Sequence, residues 1–243
     1  MNTLKIIKGI ILIIISVSIK AQDNQYLFVG YDFNTIKNTD AITLLVNDFN
    51  AHNRDIHLQV TDELKTPGIV NGFLFGMKFN SKKLNAGFEI HLQRASSSAS
   101  GYDSIGVNEY YRRIKVSHPG ISMFYGYNII NAKKFRISPT LALNIEKFKV
   151  YHRASKISSY RDWDQSVDKF FMSATLRFPL SFGGAKFNFD IVPYYTLPFW
   201  QVNVKDLNGK LNLGYEKTYT DSQMELDASN YGVMFTFNFK MNK

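Results

Sequence analysis

Two histidines stand close to serines in the sequence, a combination that could support nucleophilic catalysis. His118 follows Ser117 directly, and His152 lies three residues before Ser155. A lipid deacylase would need each imidazole within hydrogen-bond distance of a hydroxyl, so that histidine activates serine as the nucleophile. Adjacent residues of a strand point to opposite faces, so Ser117 and His118 are not expected to meet. Both pairs are better interpreted as rim residues near lipid headgroups.

Acidic residues and metal-binding spacings give no stronger indication of catalysis. A protease-like aspartate and histidine pair would draw on Asp162, Asp164 and His152, but acidic residues are common in loops. The five histidines show no metal-ligand spacing, and the glycines form no phosphate-binding loop. We therefore expect no enzyme, no metal and no cofactor.

Charged residues on the polar face of the strands form a second group with chemical potential. If Gly183 and Gly184 are the central residues of a tight hairpin, paired residue numbers sum to 367 and Arg177 faces Asp190. Charges held in little water must be paired to be tolerated. The titratable side chains expected to share this face are Glu89, His91, Arg136, Glu146, Arg177 and Asp190.

The elements that must position these residues are strands, because apolar residues alternate with polar ones along most of the chain. In "LNAGFEIHLQ", which begins at Leu84, every second residue is apolar, the period of a strand with two different neighbours. Eight such runs predict eight strands, near residues 26–33, 68–79, 84–94, 112–130, 135–151, 168–182, 186–202 and 230–241.

The connections between these runs alternate in length. The short basic turns "FNSKKLN", "INAKKFR" and "FGGAKFN" follow the second, fourth and sixth runs, about 51 residues apart. Long polar stretches follow the odd-numbered runs, such as Ser96 to Glu109 and residues 205–229. Short turns at one end and long loops at the other are typical of a single-chain outer-membrane barrel.

The two faces of the strands favour a membrane barrel over a soluble, calycin-like one. The polar face carries small residues such as Ser122, Asn144 and Thr175, which suit a narrow lumen better than a solvated surface. The other face is aromatic and suits lipid. The sequence therefore predicts an all-β fold, an eight-stranded antiparallel up-and-down transmembrane β-barrel. Its charged lumen is interpreted as a structural plug, and the alternative is a selectivity site in a pore.

The N-terminal segment predicts export. Residues 1–21 combine two early lysines, the apolar run "GIILIIISVSI" and a small residue, Ala21, at the cleavage point of a signal peptide. A retained membrane anchor is the alternative, but the run is short for a spanning helix. Residues 22–243 then form one barrel domain. The net charge is +9, but the lysines and arginines are scattered over turns and strand ends, so no nucleic-acid partner is expected. The lack of cysteine excludes a disulfide framework.

The first long loop and the ends of the strands carry two further features. Residues 39–53, "TDAITLLVNDFNAHN", space apolar residues at three- and four-residue intervals and predict a short amphipathic helix, either in the barrel mouth or against its rim. Arg112, Arg113, Lys147 and Lys149 fall at the loop-end tops of their strands. They are candidates for contact with lipopolysaccharide phosphate, and solvated strand ends are the alternative.

The chain resembles small outer-membrane β-barrel domain proteins of Gram-negative bacteria, with eight strands in the manner of the OmpA and OmpX barrels. The resemblance lies in "IKAQ", in the run from "YLFVGYDF" through "LLVNDFNAHN" to "GFLFGMKFN", and in the final "YGVMFTFNF". It implies an outer-membrane location and recognition of an aromatic strand end by the assembly machinery, although here "KMNK" follows Phe239. We expect a structural or interaction protein with a possible envelope partner. The alternatives are a narrow channel and, below it, a lipid-modifying enzyme.

Overall fold

Extended backbone dominates the computed structural model, as the period-two pattern of the sequence predicts. The structure describes residues 24–56, 59–102, 109–156, 159–160, 163–212 and 214–241, so the predicted signal peptide lies outside it. The strands are β1 (Asn24–Ile36), β2 (Gln59–Asp62), β3 (Ile69–Asn80), β4 (Leu84–Tyr102), β5 (Glu109–Tyr127), β6 (Ile130–Asn131), β7 (Phe135–Ile137), β8 (Thr140–Lys156), β9 (Ser159–Tyr160), β10 (Asp164–Arg177), β11 (Leu180–Gly183), β12 (Phe187–Pro198), β13 (Val202–Asn203), β14 (Glu225–Leu226) and β15 (Asn230–Lys240). The helices are α1 (Asp40–Asp55), α2 (Asn208–Leu211) and two 3₁₀ segments, Lys205–Leu207 and Asp221–Met224.

The long strands pair antiparallel in a ring. From β1 the pairings lead through β3, β4, β5, β8, β10, β12 and β15, and β15 pairs with β1 again. The predicted strand count was too low, since the structure has more strand segments than eight. Two predicted strands are interrupted before Pro139 and Pro179, because proline has no N–H to donate to the ladder. The other additional strands, β2, β6, β9, β13 and β14, are each two to four residues long.

The ring has a turn end and a loop end. At the turn end, each of three hairpins closes with a bond from one backbone N–H to the carbonyl three residues later: Ser81 to Leu84, Ala132 to Phe135 and Gly184 to Phe187. The central residues are therefore Lys82 and Lys83, Lys133 and Lys134, and Ala185 and Lys186. The basic sequence repeat is thus a structural repeat.

The predicted register of the third hairpin was wrong by four residues. Asp190 pairs with Ser181, and Arg177 pairs with Tyr194, which makes the paired numbers sum to 371. Gly183 does use a positive φ of 124°, but it does so at the end of β11 and not at the centre of the turn. Because the error is an even number of residues, every side chain stays on its predicted face.

The predicted loop from Ser96 to Glu109 is largely strand. β4 continues to Tyr102, and β5 starts at Glu109, with partner pairs along this whole extension. Ala99 points inward there and is buried, while Ser96 and Ser98 are exposed. Small polar residues are compatible with a strand when one face is solvated, so composition alone misled the prediction.

Burial alternates along the ring strands and separates two surfaces. In β1, Tyr26 and Phe28 are buried inside the ring, whereas Leu27 and Val29 are about half exposed on its outside. The interior has two layers. Polar side chains fill it from the turn end upward, and an apolar cluster that includes α1 fills the loop end. Among the described residues, no helix is both long and apolar enough to cross a membrane.

Candidate functional site

Two buried ion pairs cross the polar interior. Arg177 donates to Glu89 at 2.6 Å, and Lys78 pairs with Asp190. The predicted pairing of Arg177 with Asp190 was wrong, because the register places Asp190 against the β11 end of the hairpin. Sequence reasoning missed Lys78, although its even number places it on the same face as Gly72 and Gly76 of β3.

A second cluster gathers around Glu146. The Nε2 atoms of His91 and His118 lie 3.2 Å and 3.4 Å from the same carboxylate oxygen of Glu146. The hydroxyl of Ser173 donates to the other carboxylate oxygen at 2.6 Å. The His118 ring stacks on Phe171 with 5.3 Å between centroids. His118 is thus a buried residue between the polar and apolar layers, and its interpretation as a rim residue was wrong.

Asp32 is the centre of a third polar cluster that the sequence analysis did not predict. Tyr194 donates its hydroxyl to both carboxylate oxygens of Asp32, at 2.9 Å and 3.0 Å, and Gln93 donates to one of them. The alternation in "YLFVGYDF" places Asp32 on the inner face, with Tyr26 and Phe28. Its even position along the strand was therefore the signal that could have found it. Small spaces of about 30 Å³ and 20 Å³ lie between the lumen side chains of these clusters.

Arg136 differs from the other predicted lumen charges. It lies on β7 at the turn end, half-buried, and forms no ion pair with any residue that the structure describes. Its Nε atom is buried without a hydrogen-bond partner among those residues. Arg136 instead lines a cavity of about 220 Å³ beside the second and third turns. Among the predicted charged residues, Arg177 thus pairs with Glu89, and His91 with Glu146. Asp190 pairs with Lys78, which was not predicted, and Arg136 lies outside these pairs.

The helix of the first loop lies in the mouth of the ring. Ile42, Leu45 and Phe49 of α1 are fully buried in one cluster with the inward-facing Ile114 of β5 and Phe148 of β8. This contact decides between the two predicted positions of the helix. Burying each large apolar side chain of α1 stabilises its position by roughly 1.5–3 kcal/mol. The strand residues that cover these side chains lie at the loop end of the ring.

Other loop segments hold the polar side of α1. Lys217 donates to Asp48 at 2.5 Å, and the Tyr219 hydroxyl donates to the same carboxylate. Partial burial and this hydrogen bond raise the pKa of Tyr219 to about 12. The His52 ring stacks on Tyr215 with 3.5 Å between centroids. The loop end is thus a compact, packed cap.

The outward face of β5 and β8 carries a cluster of cations just beyond the exposed apolar residues. We define the outer basic surface as Arg113, Lys115, Lys147 and Lys149. Lys115 lies 4.3 Å from the centroid of the Trp163 ring. Lys147 and Lys149 share one carboxylate, that of Asp168 on β10, at 3.4 Å and 3.9 Å.

Arg112 does not belong to this surface. It follows the inward parity of β5, and its guanidinium lies 5.6 Å from the centroid of the Phe49 ring of α1. Arg112 therefore contributes to the cap and faces the inside of the ring, which contradicts its predicted contact with lipopolysaccharide.

Of the candidate catalytic residues, Ser117 and His118 do not come together, whereas Asp164 and His152 are partners on β10 and β8. Ser117 pairs with Lys149 on the neighbouring strand, and His118 points inward. His152 Nδ1 lies 2.9 Å from the Ser166 hydroxyl, a contact across neighbouring strands that sequence proximity could not reveal. Asp162 and the Ser155 side chain lie outside the described part of the chain. Within that part, no group of three or more acidic, histidine or cysteine residues is placed to hold a metal ion.

Comparison with known proteins gives distant structural likenesses only. No protein-family model and no curated protein matches the chain. Ail, the attachment invasion locus protein of Yersinia pestis, is similar over 90% of this chain and 98% of its own, at 12% identity and a TM-score of 0.34. The outer membrane protease OmpT from Escherichia coli is similar over 90% of this chain and 95% of its own, at 8% identity and a TM-score of 0.33. Likenesses this weak transfer neither ligand nor activity.

Proposed function

We propose that the chain is an exported outer-membrane protein whose eight long ring strands form a closed barrel, with a plugged lumen and a packed cap at the outer, loop end. The observation that carries the proposal is the reversed polarity of the ring. Ion pairs and amides lie inside, and every ring strand exposes large apolar side chains outside. One example from each strand is Phe33, Phe73, Leu92, Ile121, Leu141, Leu176, Leu197 and Phe237. Soluble monomers rarely expose so extensive an apolar surface.

The strand register supports closure. From Phe28, the partners on successive strands lead through Ser122 and Ser173 to Pro198 of β12. In the other direction, Phe28 leads through Asn238 to Asn188, also on β12. The two routes differ by ten residues along β12. A constant stagger of this kind accompanies the strand tilt of a closed barrel.

The height of the apolar belt also fits a membrane. On β12 the outward face is apolar from Phe187 to Leu197, a distance of about 33 Å along the strand at about 3.3 Å per residue. A tilt of about 45° reduces this to roughly 23 Å, close to the apolar band of about 25 Å on outer-membrane barrels. Because outer-membrane barrels have their short turns on the periplasmic side, the turn end faces the periplasm.

The filled lumen supports a structural or interaction role. The three polar clusters occupy the interior, and the cap with α1 covers the outer end. We propose that the protein acts through its outer surface and cap, and that it does not work as a channel or an enzyme. After reconstitution into planar bilayers, the protein should give no steady single-channel current. A stable conductance of porin size would overturn the plug.

We further propose that the outer basic surface contacts lipopolysaccharide phosphate. Lys147 follows the exposed Ile145 by two residues on the same face, so the cations begin where the apolar belt ends. Guanidinium and ammonium groups form strong, charge-assisted bonds to phosphate oxygens. Recognition by the outer-membrane assembly machinery and binding to an envelope protein are further proposals, which rest on the sequence alone.

Two measurements test this function. The mature chain should need detergent to stay monodisperse, and monodispersity in plain buffer would reverse the assignment of the two faces. Neutralising the four residues of the outer basic surface with glutamine should lower the lipopolysaccharide that co-purifies from native membranes. The control is a variant with Lys205→Gln and Lys210→Gln at the cap, and Arg112→Gln should also have no effect. Equal lipopolysaccharide on all variants would contradict the contact.

A further inference from the structure

The turn end of the ring holds a cavity that the proposed function does not use. We define the turn-end cavity by Tyr26, Lys133, Lys134, Arg136 and Asn188, which are among its lining residues. Its volume is about 220 Å³, against about 30 Å³ for the space next to the Arg177 pair. A cavity of this size admits a small ligand of several non-hydrogen atoms.

Two residues that line the cavity carry buried polar atoms without a partner among the described residues. Asn188 is only 2% exposed, yet neither its Nδ2 nor its Oδ1 atom makes a hydrogen bond there. The Nε atom of Arg136 is also buried without one. Buried polar groups in proteins are normally hydrogen-bonded. Two side chains that line the cavity therefore hold donors without a partner, which points to a polar ligand there.

The charge around the cavity selects the sign of that ligand. Lys133, Lys134 and Arg136 all line it, and none of the described lining residues is acidic. Asp190, which follows Asn188 by two residues on the inner face of β12, is already paired with Lys78. The cavity therefore has a positive excess with no internal counter-charge in the described chain.

We propose that the turn-end cavity binds a phosphate group. The Arg136 guanidinium supplies charged donors, the Asn188 amide supplies a neutral donor, and the two lysines of the second turn attract the anion at the rim. Arginine and lysine together are well suited to phosphate, since the planar guanidinium can donate two parallel bonds. Asn188 and Tyr26 point into the ring, so a free phosphate or phosphomonoester reaches them more directly than a headgroup in the surrounding lipid does.

The first turn provides a matched control. Lys82 and Lys83 occupy the same two central turn positions as Lys133 and Lys134, at the same end of the ring, but they do not line the cavity. Replacing either lysine pair with glutamine removes the same charge from the same end. Only the second-turn pair should affect a ligand inside the cavity.

The test is titration of the refolded chain, in neutral detergent at low salt, with inorganic phosphate, followed by calorimetry and by ³¹P line broadening. We expect saturable binding of one phosphate per chain. Arg136→Gln should weaken it by at least about tenfold, as expected for loss of a hydrogen bond to a charged group. Asn188→Ala should weaken it several-fold, and the second-turn pair more than the first-turn pair. Circular dichroism of each variant checks the fold.

Three outcomes would overturn the proposal: no saturable binding by the wild-type chain, an equal loss with the first- and second-turn pairs, or unchanged affinity of folded Arg136→Gln. Nanodiscs distinguish the source of the phosphate. Equal affinity in phosphatidylglycerol and phosphatidylcholine nanodiscs identifies a free phosphate as the ligand. Binding that is lost only in phosphatidylglycerol identifies an anionic headgroup as the occupant of the same site. The cavity does not depend on the membrane assignment, so the two proposals fail separately.

Discussion

Breaking the buried pair between Arg177 and Glu89 should strongly destabilise the barrel. The two side chains are 7% and 4% exposed and 2.6 Å apart. At an effective dielectric constant of about 20, unit charges about 4 Å apart attract by about 4 kcal/mol. Arg177→Met removes this attraction and leaves the Glu89 carboxylate buried and unpaired. We expect a loss of about 3–5 kcal/mol, a large share of a typical stability of about 5–15 kcal/mol.

The assay is reversible urea unfolding from phospholipid vesicles, followed by tryptophan fluorescence. Glu89→Gln in the Arg177→Met background should recover about 2 kcal/mol relative to the sum of the single losses, because the pair is then removed as a unit. The same cycle with Asp190→Asn should give a smaller coupling energy, since Asp190 is paired with Lys78. A loss below about 1 kcal/mol for Arg177→Met, or a larger coupling to Asp190, would refute the reasoning.

Three further predictions concern the cap and the packing of the lumen. Phe49→Ala should cost about 3–5 kcal/mol and speed proteolysis within the cap, whereas Leu44→Ala on the exposed face of the helix should change neither; unfolding and limited proteolysis measure both, and equal effects would contradict the buried position of the helix. Replacing α1 with a glycine and serine linker should leave planar-bilayer conductance negligible, because the polar clusters still fill the lumen, and a steady current would show that α1 alone is the barrier. Gly120→Ala should cost about 1–3 kcal/mol, because the added Cβ would lie 2.3 Å from His91 Nε2, while Gly209→Ala, with no atom within 4 Å, should be neutral in urea unfolding.

The two faces of the strands were predictable from the sequence because the side-chain period of a strand is two. Each aromatic residue assigned to the outside of the last strand, from Tyr231 to Phe239, lies on that face, and the polar Thr236 and Asn238 are buried. Parity is a local property, so the sequence contains it directly. The same argument, applied to Lys78 and Asp32, would have found the two lumen charges that were missed.

Ion-pair partners were not predictable in the same way. They depend on register and on contacts across the lumen, such as the one from Arg177 to Glu89, which are 88 residues apart. The predicted register of the third hairpin was wrong because it placed Gly183 and Gly184 at the centre of the turn. The sequence repeat predicts a different centre. Aligned with "NSKKLN" and "NAKKFR", the segment "GGAKFN" places Ala185 and Lys186 at the centre, where the structure has them.

The cap was the least predictable region. Polar composition suggested open loops, whereas the strand extensions and the distant Leu207, Leu211 and Met224 supply apolar residues to the cluster that holds α1. Such isolated apolar residues within long polar stretches have no periodicity. Their burial is decided by contacts far apart along the chain.

The pairing of the first strand with the last has a consequence for engineering the chain. Eleven partner pairs join β1 to β15, from Tyr26 with Lys240 to Ile36 with Asn230. β1 therefore starts beside the point where β15 stops, at the end where three tight hairpins already join neighbouring strands. A linker of a few residues there would act as a fourth hairpin. New chain ends could then be opened between Tyr102 and Glu109, giving a circular permutant that keeps every strand neighbour of the original ring.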